Sequence, residues 1–148
     1  MIKMIALDLD ETLLNTDKTI SEENATALRQ LHEAGIKIVL CTGRPINAIW
    51  HYLEQLGLTT DDDYTITFNG ALVIQNSTKE ALAQSGLSRN DFEPLHAFAA
   101  ANHYPMDVLD FEQVYPIADL TPSVYEQMLK APMKFIPTAF ADLPDQLF

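Results

Sequence analysis

The sequence predicts an α/β fold, a parallel sheet core over residues 1–80 followed by a smaller α+β module over 81–148, and three observations carry this. A short apolar run, Met4 to Leu7, delivers two carboxylates, Asp8 and Asp10, at its carboxyl end. A helix-spaced segment then leads into a β-branched run, Ile36 to Cys41, the order of a strand, crossover helix and parallel strand. Beyond residue 80, short extended runs and helical segments alternate without further crossover units.

The elements follow in order. Met4–Leu7 is too short for anything but a buried strand or a fragment of core helix. Asn15 to Lys18 reads as a turn and Thr19-Ile20 as a short extended piece. Ser21 is a good N-cap, with Glu22 and Glu23 where the helix dipole favours them. Ala27, Leu28, Leu31 and Ala34 recur at helical spacing, and Gly35 stands where a helix ends. After the second strand comes Thr42-Gly43-Arg44-Pro45, with Pro45 suited to the first position of a helix. That helix carries Ile46, Ile49, Trp50, Leu53 and Leu56 on one stripe, read as core packing, and stops at Gly57. Asp61-Asp62-Asp63 reads as a solvated loop. Tyr64–Phe68, Asn69-Gly70 and Ala71–Ile74 form a hairpin signal. In the second module, Ser88 or Asp91 caps a helix with Phe92, Leu95, Phe98 and Ala99. Strands are expected over Met106–Leu109, Gln113–Ile117 and Lys134–Ile136, and a helix capped by Thr121 with Pro122 at its first position.

The chemistry-bearing residues sit at strand ends, where open parallel sheets bind ligands. Side chains at i and i+2 of an extended segment point the same way, so Asp8 and Asp10 are expected to converge. Like charges that close need a cation or a shared proton, and Mg²⁺, a hard ion that takes carboxylates, phosphate and water, is the natural guest. At the end of the next strand, the Thr42 hydroxyl, the Gly43 N–H and a helix amino terminus together make an anion site. Two rival phosphate chemistries fail on spacing: Cys41 has Asn47, not Arg, six residues on, and no Gly-x-x-x-x-Gly-Lys-Ser/Thr occurs. His32, His51, His96 and His103 share no metal-ligand spacing.

Composition narrows the partners. The chain has 148 residues, is 47% hydrophobic and carries a net charge of −12. That charge argues against nucleic acid or an anionic membrane surface as partner, since both need a basic footprint. No apolar run approaches the ~20 residues of a membrane span, and no signal peptide is visible. One cysteine excludes an intrachain disulfide. A cytoplasmic location is expected.

Asp8-Leu9-Asp10-Glu11-Thr12-Leu13-Leu14, Thr42-Gly43-Arg44 and Asn69-Gly70-Ala71 together resemble the Cof-type sugar-phosphatase branch of the haloacid dehalogenase-like hydrolases. Many members have Gly where this chain has Glu11. The resemblance implies a Rossmann-like core with an α+β cap domain and Mg²⁺-dependent hydrolysis of a small phosphorylated substrate. It implies that Asp8 is the nucleophile and a metal ligand, and that Asp10 is the general acid/base and lends the metal its backbone carbonyl. Thr42, Gly43 and the backbone of Leu9 would hold the phosphoryl group, with Arg44, Asn69 and Gly70 near the substrate.

The family pattern also demands a lysine after the cap and a Gly-Asp-x-x-Asn-Asp segment. None of the five glycines is followed by Asp, and Lys130 and Lys134 read as solvated residues of the cap. The chain is therefore expected to be a shortened or truncated form. Its sheet is expected to be short of strands and to associate, for example as a homodimer, through its uncovered apolar side. A non-catalytic remnant that binds phosphate or a partner, and a capped phosphomutase, remain as alternatives.

Overall fold

The computed structural model describes residues 2–129 and 133–147. It divides into two compact units, residues 1–84 and 85–148.

The first unit is built on a five-stranded sheet of β1 (Met4–Leu7), β2 (Lys37–Cys41), β3 (Tyr64–Thr67), β4 (Leu72–Gln75) and β5 (Ala81–Gln84), in that spatial order. The β1–β2 and β2–β3 pairs are parallel, and β3–β4 and β4–β5 are antiparallel. Three strands are thus parallel, because the first arm of the expected hairpin joins β2. The hairpin loop is wider than Asn-Gly alone: Thr67 pairs with Leu72, so Phe68 to Ala71 make the turn. Residues 81–84 belong to this sheet, which moves the boundary expected at 80/81 to 84/85. Their backbone pairs with β4, although all four residues are exposed and carry no hydrophobic pattern.

Helices α1 (Glu22–Glu33) and α2 (Trp50–Leu56) connect successive parallel strands and pack against each other, as expected when both crossovers have the usual right hand and share one face of the sheet. On the face that includes Ile38, Leu40, Thr65, Thr67, Leu72 and Ile74 these side chains are buried, while Met4 and Ala6 on the other are exposed. Ser21 caps α1 by accepting the Asn24 N–H. Leu28 and Ala25 are buried on α1, whereas Ala27 and Ala34 face solvent. Trp50 is half-buried and carries Lys79 Nζ 4.2 Å from its ring centroid, so it is not wholly a core residue. At Asp63 the solvated-loop reading fails. Its carboxylate is 1% exposed and is bonded by His32 Nε2 (2.7 Å), the Thr60 N–H (2.8 Å) and the Thr60 hydroxyl (2.7 Å).

The second unit contains β6 (Leu87–Ser88), α3 (Arg89–Asn102), β7 (Asp107–Leu109), β8 (Gln113–Pro116), α4 (Tyr125–Leu129), β9 (Lys134–Phe135) and β10 (Gln146–Leu147). Strands β7, β8 and β9 form one sheet, and β6 pairs with β10. A capping box between Ser88 and Asp91 starts α3. Phe92, Val108, Tyr115, Ile117, Leu143 and Leu147 form the core. Thr121 does not cap α4; its hydroxyl donates to the His103 carbonyl, and Ser123 accepts the Tyr125 N–H instead. Lys134 is exposed, and Lys130 lies outside the described residues.

Candidate active site

The first strand stops at Leu7, and Leu9–Leu13 form a single wide π-turn. Glu11 within it has φ 60°, a left-handed conformation that disfavours side chains other than those of Gly, Asn and Asp. Glycine would sit there without strain. The turn also breaks the premise that Asp8 and Asp10 share one extended face, so their carboxylates have different surroundings.

Asp8 is exposed at an opening of about 370 Å³ lined also by Cys41, Thr42, Gly43, Ile66, Asn69 and Gly70. Its carboxylate accepts one long hydrogen bond from the Thr12 hydroxyl (3.4 Å). The Cys41 thiol is pushed up by burial and by the Asp8 charge, which keeps it a neutral thiol rather than a nucleophile.

Asp10 faces two cations. Arg44 binds it in bidentate fashion, Nε to Oδ2 at 2.7 Å and Nη2 to Oδ1 at 2.8 Å, and Lys18 Nζ reaches Oδ1 at 2.7 Å. Arg44 is 6% exposed and Asp10 39%. Neither Asp10 nor Arg44 lines the opening beside Asp8. The Arg44 hydrogen bonds, with a smaller contribution from Lys18, hold the Asp10 carboxyl at about 2 against an ordinary 3.8, although burial opposes them. Because the folded value lies below the unfolded one, the pair's stabilisation is full above pH 3.8 and is lost as pH falls through about 2. At a carboxylate this exposed, screening reduces the gain to roughly 1 kcal/mol. Arg44→Met is expected to flatten the loss of stability over that pH interval, read as urea midpoints; an unchanged slope would contradict the assignment.

The second strand end is arranged differently from the expected helix amino terminus. A 3₁₀ turn, Ile46–Ala48, follows Pro45, and α2 begins only at Trp50. The opening beside Asp8 is shaped instead by two loops bonded together. The Asn69 N–H donates to the Thr42 carbonyl (3.2 Å) and the Phe68 N–H to the Arg44 carbonyl (3.3 Å). The Thr42 hydroxyl is buried and accepts the Arg44 N–H at 3.1 Å. Asn69 holds φ 55°, which asparagine tolerates, and Gly70 φ 95°. A Cβ on Gly43 would lie 2.6 Å from Asn69 Oδ1, so any larger residue there must displace the Asn69 side chain. Asn69 is exposed and free to swing aside. Gly43→Ala is therefore expected to change stability by less than about 1 kcal/mol while displacing Asn69, visible in its side-chain amide NMR signals. An unmoved Asn69 signal would contradict the contact.

Leu9, named for its backbone, is fully buried as the first residue of the π-turn. The structure thus brings Asp8, Thr42, Gly43, Asn69 and Gly70 to one opening, and pairs Asp10 with Arg44 beside it. It adds two residues that the sequence reading missed. Lys18 lies in a segment recognisable only as a turn, and Tyr52 falls outside the apolar stripe of α2. Among the described residues no three His, Cys, Asp or Glu side chains form a metal-holding group, and no helix is long and apolar enough to cross a membrane.

Comparison with known proteins adds the following. A family described as haloacid dehalogenase-like hydrolase matches residues 5–146. Bacillus subtilis (strain 168) YxeH is 38% identical over 138 residues, covering 91% of this chain and 51% of that protein. The 5-amino-6-(5-phospho-D-ribitylamino)uracil phosphatase YitU of the same organism is 44% identical over 70 residues, 47% of this chain and 25% of YitU. Among solved structures, a haloacid dehalogenase-like hydrolase from Bacteroides thetaiotaomicron superposes with TM-score 0.83 at 28% identity, covering 99% of this chain and 56% of that one. The chain thus spans about half the length of YxeH and about a quarter of that of YitU.

Proposed function

The chain belongs to the haloacid dehalogenase-like hydrolase family, and from that premise we propose that it takes part in Mg²⁺-dependent hydrolysis of a sugar phosphate or similar small metabolite, through an aspartyl-phosphate on Asp8, in the cytoplasm. The observation that carries the reading is the exposed, lightly bonded Asp8 carboxylate at an opening shaped by Thr42, Gly43, Asn69 and Gly70. A relative named for a phosphorylated ribityl compound supports the substrate class.

Mg²⁺ fits the donor set. Asp8 has carboxylate oxygens to offer, and Asp10, whose carboxylate is committed to Arg44 and Lys18, has its backbone carbonyl. Such an ion commonly uses one or two carboxylates and keeps water and substrate phosphate for the rest. When bound it would offset the repulsion between carboxylate and phosphate.

The residues of the chain do the remainder. An Asp8 oxygen attacks phosphorus as the bond from phosphorus to the substrate alcohol oxygen breaks, and that alcohol takes a proton from Asp10. Asp10 then removes a proton from the water that cleaves the aspartyl-phosphate, releasing inorganic phosphate and restoring both groups. The cations beside Asp10 favour its ionised form, which suits the second step. For the first, the carboxylate must loosen from at least one of them to carry a proton. Thr42 and Gly43 orient the phosphoryl group, and positioning of this kind supplies much of the acceleration in phosphoryl transfer.

Hydrolysis of p-nitrophenyl phosphate by this chain, with Mg²⁺ and then with chelator, tests the reading. Turnover that requires Mg²⁺ supports it. A folded sample without turnover favours the second reading, a chain that binds phosphate without hydrolysing it. Release of isomerised sugar phosphate instead of inorganic phosphate would mark a phosphomutase.

A further inference from the structure

The segment between the π-turn and α1 forms a strap. Leu14 and Ile20 bridge antiparallel, the Asn15 N–H donates to the Thr19 carbonyl (2.8 Å), and the Lys18 N–H donates to the Asn15 carbonyl (2.9 Å). Lys18 sits at its tip with φ 65°. A lysine gains nothing intrinsically from that conformation, so its surroundings must hold it there. They do so from two directions. Tyr52 on α2, only 3% exposed, donates its hydroxyl to the Lys18 carbonyl at 2.5 Å. The ammonium of the same residue donates to Asp10 Oδ1 at 2.7 Å. One residue therefore links a buried phenol to the carboxylate through the backbone of the strap, and the same phenol also meets the Arg44 side chain.

We propose that Tyr52 and Lys18 are positioning residues for Asp10: the Tyr52 hydroxyl fixes the strap, and the strap sets Lys18 against Oδ1. The consequence is atomic. Lys18 and Arg44 Nη2 together fill the two acceptor sites of Oδ1, whereas Oδ2 receives only Arg44 Nε among the described bonds. Oδ2 is thereby the less engaged oxygen of the carboxylate. The inference rests on the proposed role of Asp10 in phosphoryl transfer, but its geometry is testable without turnover.

The test is hydrogen exchange by NMR on this chain and two variants, Tyr52→Phe and Lys18→Met. In Tyr52→Phe, loss of one hydrogen bond is expected to speed exchange of the Asn15 and Lys18 amides by about fivefold or more. The Arg44 Nε–H should accelerate with them, while amides of β2 and the middle of α1 keep their rates. In Lys18→Met the strap amides should hold, because the carbonyl remains, and the Arg44 Nε–H alone should change. A loosened strap with an unchanged Arg44 signal would make Tyr52 a packing residue and overturn the proposal, as would a strap indifferent to Tyr52→Phe. Should Tyr52→Phe fail to fold, Lys18→Met still decides whether the strap acts on the Asp10–Arg44 pair. Failure of the phosphatase reading is seen separately, as a folded chain that shows no Mg²⁺-dependent turnover of p-nitrophenyl phosphate.

Discussion

Asp8→Asn is expected to remove Mg²⁺-dependent hydrolysis of p-nitrophenyl phosphate, with a loss of ~10³-fold or more, while leaving the protein folded. The amide is close in size to the carboxylate and is a far weaker nucleophile. Asp8 is exposed, and its described side-chain bond is the long one from Thr12, so little packing depends on its charge. Circular dichroism and thermal midpoint should match those of the parent. The Cys41 thiol offers a second readout: without the Asp8 charge its ionisation should shift downward, because that charge and burial together push it up. Activity persisting in Asp8→Asn would take the nucleophile away from this position.

The second large effect is on stability. Asp63→Ala is expected to cost about 2–4 kcal/mol, read from urea denaturation. Asp63 is 1% exposed and accepts three hydrogen bonds, from His32, the Thr60 N–H and the Thr60 hydroxyl. Alanine would take away the acceptor shared by the Thr60 N–H, the Thr60 hydroxyl and His32, all in part-buried contacts. The neighbouring Asp62 is the control. Its side chain is 80% exposed and meets Lys37 at 3.0 Å, so Asp62→Ala should change stability by less than about 0.5 kcal/mol. Equal effects at the two positions would show that burial of Asp63 does not govern its contribution.

Local signals carried most of the first unit. The Ser21 cap, the β-branched run of β2 and the Asn69-Gly70 turn are short-range features, and each produced the expected element. The nucleophile candidate and its phosphate loop were legible for the same reason: residues at the carboxyl ends of adjacent parallel strands are brought together by the topology itself. Legibility failed where a side chain's surroundings come from distant sequence. Asp61, Asp62 and Asp63 are chemically alike in the sequence, and the Thr60 turn together with His32, brought by α1, separates the third from the others. Thr121-Pro122 carries a good helix-start signal, yet the Thr121 hydroxyl meets the His103 carbonyl instead.

By itself, the sequence determined the parallel order of the first strands, the α+β character of the second unit and the placing of Asp8 near Thr42 and Gly43, because strand ends and turns are written in adjacent residues. Only the tertiary structure decided what Asp10 does. Its charge is matched by Arg44, 34 residues away, and by Lys18, whose strap is held by Tyr52 from another helix. Electrostatic partners act through space, and no spacing rule along a single chain encodes which distant cation will fold back upon which carboxylate.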